Sequence, residues 1–257
     1  MRPAVLAVLV ALVLPVAASA APPAQSAATV PSYIRHALAD PARQADQADD
    51  ARRQAAEVLA FTGVKPGQKV LELVPGSGYW TRMFSAVVGP HGHVYTVWPD
   101  EMAKYSTKSL AEWRKLAATP HYANVSVLEQ PAAQLSVPAK VDLVFTAQNY
   151  HDYHDPFMGP VDMAKFDKAV FDALRPGGVF VVIDHAAPAG SGLADTDTLH
   201  RIDPATVKQE VEAAGFVFDG ESKVLRNPAD PLDIKVFDKS IRGHTDQFVY
   251  RFRKPAK

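Results

Sequence analysis

Apolar residues along the chain fall into two spacings that alternate. Short, mostly apolar segments at 69–74, 94–97, 125–129, 141–147 and 179–183 read as strands. Between them, residues 79–88, 101–116, 161–174 and 204–214 carry apolar positions at helical spacing. Two more strands are predicted near Phe216 and Phe248, and an amphipathic helix over 42–61, ending at Gly63, precedes the first strand. Strands alternating with helices imply an α/β class, built as a Rossmann-like, doubly wound and mostly parallel sheet with helices on both faces. No internal repeat breaks the pattern.

Residues 1–20 belong to a different pattern. Arg2 precedes an apolar run over 5–16, and Ala18-Ser19-Ala20 follows, the layout of a cleavable secretory signal. The run is too short to span a hydrocarbon core of ~30 Å as a helix, so no stable membrane insertion is expected after cleavage. Residues 21–32, rich in Ala, Pro, Ser and Gln, read as a flexible linker, leaving 33–257 as a single domain. The expected compartment is a bacterial periplasm. The chain has no cysteine, so neither disulfides nor thiolate metal sites support it there. With 257 residues, of which 47% are hydrophobic, it can bury a full-sized core without them. A net charge of −1, without a basic block beyond Arg251, Arg253, Lys254 and Lys257, argues against nucleic acid as partner and leaves a small molecule.

The first strand ends in the most informative stretch, Val70-Leu71-Glu72-Leu73-Val74-Pro75-Gly76-Ser77-Gly78-Tyr79-Trp80-Thr81. A Gly-x-Gly turn between strand and helix lets backbone N–H groups at a helix start approach a polar ligand closely. A nicotinamide-type fingerprint would continue to a third glycine, where this chain has Thr81.

Together with Gly92-His93-Val94-Tyr95, Val141-Asp142-Leu143-Val144 and Leu174-Arg175-Pro176-Gly177-Gly178-Val179, this stretch resembles the class I S-adenosylmethionine-dependent methyltransferase superfamily over residues 40–255. More narrowly, Gly63-Val64-Lys65-Pro66-Gly67, the glycine loop, Asn149-Tyr150-His151-Asp152 and Asp184-His185 are similar to a group of exported methyltransferase-like proteins. The resemblance implies seven strands with the last one antiparallel, and S-adenosylmethionine lying across the carboxyl ends of the first strands. It places Gly76 and Gly78 under the methionine part of the cofactor and Glu72 at the strand end to hold the loop or the amino group, with Pro75, Ser77, Trp98, Gln130, Gln148 and Asn149 completing the cofactor set.

Three positions depart from the superfamily's usual pattern. Val74 and Pro75 stiffen the loop where its first glycine would stand. Trp98 replaces the acid that takes both ribose hydroxyls, and indole offers one donor and no acceptor; Asp100 or Glu101 would have to substitute, while Trp98 either stacks on adenine or packs in the core. Gln130-Pro131 follows the third strand where an acid often reads adenine.

Polar residues gather after the fourth and fifth strands, which end on the same sheet edge as the glycine loop and should face one cleft. His151, Asp152, Asp184 and His185 form the expected catalytic set. His151 is the candidate base, since imidazole titrates near pH 6.5, with Asp152 or Asp184 orienting it. His151, Asp152, His154, Asp155, Asp184, His185 and His200 are also donors that zinc or manganese uses, but a solvated polar turn has the same composition, and no metal is expected. The expected function is a periplasmic methyltransferase acting on a small molecule, with a lid from 42–61 and 186–198 over the acceptor. The alternatives are a ligand-binding protein that keeps the fold without methyl transfer and, less favoured, a metal-dependent hydrolase or lyase.

Overall fold

The computed structural model describes residues 30–256, so the signal segment and most of the linker lie outside the described residues. Among the described residues, no helix is long and apolar enough to cross a membrane. The described residues open with α1 (Ser32–Leu38), two single 3-10 turns at Pro41–Arg43 and Gln47–Asp49, and α2 (Ala55–Thr62). There follow β1 (Lys69–Leu73), α3 (Tyr79–Val88), β2 (His93–Pro99), α4 (Asp100–Ala103), α5 (Thr107–Ala117), β3 (Val125–Gln130) and β4 (Val141–Ala147). The second half contributes α6 (Met163–Ala173), β5 (Leu174–His185), α7 (Thr196–Leu199), α8 (Pro204–Ala213), β6 (Val217–Ser222) and β7 (Gln247–Arg253).

The strands form one seven-stranded sheet in the order β3-β2-β1-β4-β5-β7-β6. β1 runs parallel to β2 and β4, and β4 to β5, while β7 is antiparallel to both β5 and β6. The strand order reverses at β1, which places the crevice that α/β sheets use for ligands at its carboxyl end. Alternation along each strand divides the core in two. Val70, Val94, Trp98 and Phe145 pack with α1, α2, α3 and α5 on one face. Leu71, Leu73, Val144, Phe180 and Val182 pack with α6 and α8 on the other. Each such side chain contributes about 1.5–3 kcal/mol through burial, which is how a chain without disulfides holds its shape.

Local chemistry sets the helix ends. Gly78 (φ 79°) opens α3 and Gly89 closes it, while Asp162 and Asp203 cap α6 and α8 by accepting from Lys165 N and Ala205 N. The helix expected over 42–61 is not continuous. Arg43 is buried and pairs with Asp50 at 2.6 Å, and Asp50 also accepts from the Tyr79 hydroxyl at 2.6 Å, which draws the segment across the start of α3. Gln54 then takes φ 47°, which an α-helix excludes, so helix begins only at Ala55. The helix expected over 101–116 is likewise split into α4 and α5 around Tyr105 and Ser106.

Candidate active site

The glycine loop leaves β1 through a strained residue. Val74 adopts φ 51°, a region costly for a β-branched side chain, and its N–H donates to Val97 O at 2.9 Å. Gly76 (φ 57°) follows with open space where a Cβ would project, and both Gly76 and Ser77 are exposed. Gly78 has another reason to be glycine: a Cβ there would fall inside the Trp113 indole from α5. No side chain caps α3, so its first-turn N–H groups are left for a ligand or water.

Glu72 faces α3 and is buried, accepting from the Thr81 hydroxyl at 2.5 Å. Burial raises its pKa to about 8, so it is a neutral acid at pH 7. It holds the first turn of α3 against the strand. Trp98 is wholly buried in the core with its indole N–H unpaired, so of the two roles open to it the structure selects packing. Glu101 accepts from Ala132 N at 2.9 Å, which ties it to the loop after β3, whereas Asp100 is exposed. Gln130 accepts from Ser136 through Oε1, and its Nε2 is buried without a partner.

At the ends of β4 and β5 a cleft of about 410 Å³ is lined by Arg52, Arg53, Gln148, His185, Phe237 and Arg242 among others. A larger hollow of about 570 Å³, lined by residues between Leu135 and Ala173, lies away from these strand ends. Gln148 takes φ 65°, donates its N–H to Ile183 O at 2.7 Å and its side-chain amide to Gln247 at 3.1 Å. The Asn149 side chain turns back to Ala147 O. Arg52 and Arg53, which pattern reading left inside an ordinary amphipathic helix, reach the cleft because that helix is broken. The Arg53 guanidinium lies 4.6 Å from the centre of the Tyr79 ring.

The two polar loops meet as expected, with one correction. Asp184 is fully buried and accepts from His151 N at 2.9 Å, His151 Nδ1 at 2.8 Å and His185 N at 2.8 Å. His151 Nε2 in turn lies 3.2 Å from His200 Nδ1 and 3.3 Å from Asp152 Oδ1. Both ring nitrogens of His151 are therefore engaged within the fold, and it presents none to the cleft. Although burial opposes its charge, Asp184 and Asp152 raise its pKa to about 10, which leaves it protonated at neutral pH. A base role at His151 does not fit this arrangement. His185 differs: Nδ1 meets Thr245 Oγ1 at 2.7 Å, and burial lowers its pKa to about 4, so it is neutral. With Nδ1–H donating to Thr245, Nε2 carries a lone pair. His154 turns to Glu210, 3.2 Å away, and belongs to the support of α8 instead.

Comparison with known proteins agrees with this architecture. A family model described as protein-L-isoaspartate(D-aspartate) O-methyltransferase matches residues 31–133. The ubiquinone/menaquinone biosynthesis C-methyltransferase UbiE of Vibrio cholerae is 26% identical over 194 residues, covering 72% of this chain and 62% of the relative. In sequence and in fold the chain is similar to class I S-adenosylmethionine-dependent methyltransferases. Among solved structures, a SAM-dependent methyltransferase from Aquifex aeolicus superposes with a TM-score of 0.54 at 22% identity, covering 86% of this chain and 97% of that one. The glycopeptide N-methyltransferase MtfA complexed with sinefungin gives 0.55 at 18% identity, covering 80% and 87%. These likenesses show the class I methyltransferase fold, with its seven strands and reversed last strand. The chain spans a little under two thirds of the length of the UbiE relatives it matches.

Proposed function

We propose that this chain is an S-adenosylmethionine-dependent methyltransferase that acts on a small-molecule acceptor in the periplasm. One observation carries the reading: the reversal point of the sheet holds an exposed Gly76-Ser77 turn, with open space over Gly76 and an uncapped helix start beyond it. Gly76 and Ser77 would hold the methionine part, with the unpaired Nε2 of Gln130 available to the nucleoside. When bound, the cofactor supplies an electrophilic methyl on a sulfonium. The protein's share is to align an acceptor in the cleft beside it, since proximity and orientation supply most of the gain in such transfers. His185, neutral and beside the cleft, accepts the hydrogen of the acceptor's hydroxyl or amine and orients its lone pair. The sequence pattern of residues 1–20 supports export.

A second reading, a binding protein on the same fold, is favoured by Trp98, which offers no carboxylate to a ribose, and by Trp113, which fills the space against Gly78. Calorimetric titration with S-adenosylmethionine and S-adenosylhomocysteine separates the two readings. Binding that disappears in Gly76→Arg supports the methyltransferase. No heat from either ligand up to millimolar concentration, where a site of about −4 kcal/mol still responds, leaves the binding protein.

A further inference from the structure

The single turn at His151–His154 and the short helix α7 bring three donors to one point. His151 Nε2 and His200 Nδ1 are 3.2 Å apart, His151 Nε2 and Asp152 Oδ1 3.3 Å, and His200 Nδ1 and Asp152 Oδ1 3.7 Å. We propose that His151, Asp152 and His200 bind one transition-metal ion of the zinc class.

The spacing is that of a coordination sphere. Ligand atoms held ~2.0–2.1 Å from a tetrahedral zinc stand ~3.3 Å from one another, and the observed separations of 3.2, 3.3 and 3.7 Å straddle that value. Two imidazoles and one carboxylate select zinc, cobalt or manganese over magnesium and calcium, which prefer oxygen alone. Three protein ligands leave a further position for water or a substrate oxygen, as in catalytic zinc sites.

The surroundings prepare the ligands. Asp184, with no exposed surface, holds His151 Nδ1 at 2.8 Å and the His151 backbone N–H at 2.9 Å. That fixes the tautomer and aims Nε2 away from Asp184, the outer partner that metal-bound histidines regularly have. His200 is held by the Phe237 ring at 4.8 Å between centroids and by its own left-handed backbone at φ 55°, an uncommon conformation for a residue with a side chain. In the metal-free fold the His151 Nε2 proton sits between Asp152 and His200, and an ion would replace that proton. An ion would serve all three lone pairs at once. His154 and Asp155, adjacent in sequence, are not members of the set.

The test uses metal alone on the full mature chain after chelator treatment. Zinc retained on re-addition is counted by elemental analysis, and Co²⁺ is titrated while its visible absorption is recorded. One ion per chain, cobalt bands of a low-coordinate nitrogen and oxygen site, and a higher unfolding temperature with zinc are expected. His200 is partly exposed, so His200→Ala should fold, and it should lose nearly all affinity. Asp184→Asn should lose about 10–100-fold through its effect on His151. His154→Ala, outside the set, should bind as the parent does. No retained zinc and no cobalt bands, or equal binding by His200→Ala and the parent, would overturn the proposal. The readout needs no methyl transfer, so it stands apart from the proposed activity.

Discussion

At the scale of single residues, the two glycines of the loop are glycines for different reasons, and substitution should separate them. Gly76→Ala places a side chain in open space but keeps a left-handed backbone, a cost of about 1–2 kcal/mol. Gly78→Ala adds a collision with the buried Trp113 indole to the same backbone cost, and should lose about 3 kcal/mol or more in urea unfolding. If the two variants unfold alike, Trp113 does not pack where the structure puts it. The identity of the loop was legible in the sequence because a strand, an acid and Gly-x-Gly come in order. What Trp113 does to it was not, because the contact joins residues from different elements. The same holds for His151: its place after β4 could be read from the chain, but the engagement of both ring nitrogens depends on Asp184 and His200, which only the fold brings together.

At the scale of elements, β1, β2, β5 and α3 were readable because glycine marks one or both ends of their apolar runs, and α3 spans Tyr79–Val88 as its pattern predicts. The stretch before β1 was not readable, since its conformation is set by charges that meet in space. Arg43, buried in the core, is held by Asp50, and the Tyr79 hydroxyl shares the same carboxylate. A second buried pair ties the loop after α7 to the C-terminal segment: Arg201 Nη1 lies 2.8 Å from Asp230, and neither side chain has exposed surface. Removing one partner of such a pair leaves the other charge uncompensated. Arg201→Met should therefore cost about 3–5 kcal/mol by denaturant unfolding. A loss under ~1 kcal/mol would mean that Asp230 is satisfied by the backbone N–H groups of Leu232 and Asp246 alone.

At the scale of the whole molecule, buried acids set the response to pH. Burial raises Glu72 to about 8, and Asp167 also to about 8 despite the hydrogen bond from the Tyr150 hydroxyl. Each is higher in the folded chain than in the unfolded one, so the stability it brings is complete below the ordinary carboxylate range and is lost as pH rises through 8. Folding should weaken between about pH 4.5 and pH 8 by about 5 kcal/mol for each group, at ~1.4 kcal/mol per pKa unit. Glu72→Gln, which can still accept from Thr81, should flatten that slope in thermal unfolding. A variant as pH-sensitive as the parent would move the titration to another group.

β7 lies between β5 and β6, although it comes after both in the chain. Arg251, on this strand, donates to Phe61 O at the end of α2, 190 positions earlier. No N-terminal portion of the chain can close the sheet, since a middle strand is the last to arrive. Long-range pairing of this kind is slow to form and late to cooperate. Until residues 247–253 are in place, β5 and β6 have no partner between them, so the C-terminal half of the sheet stays open and its edges unpaired until the last strand is made.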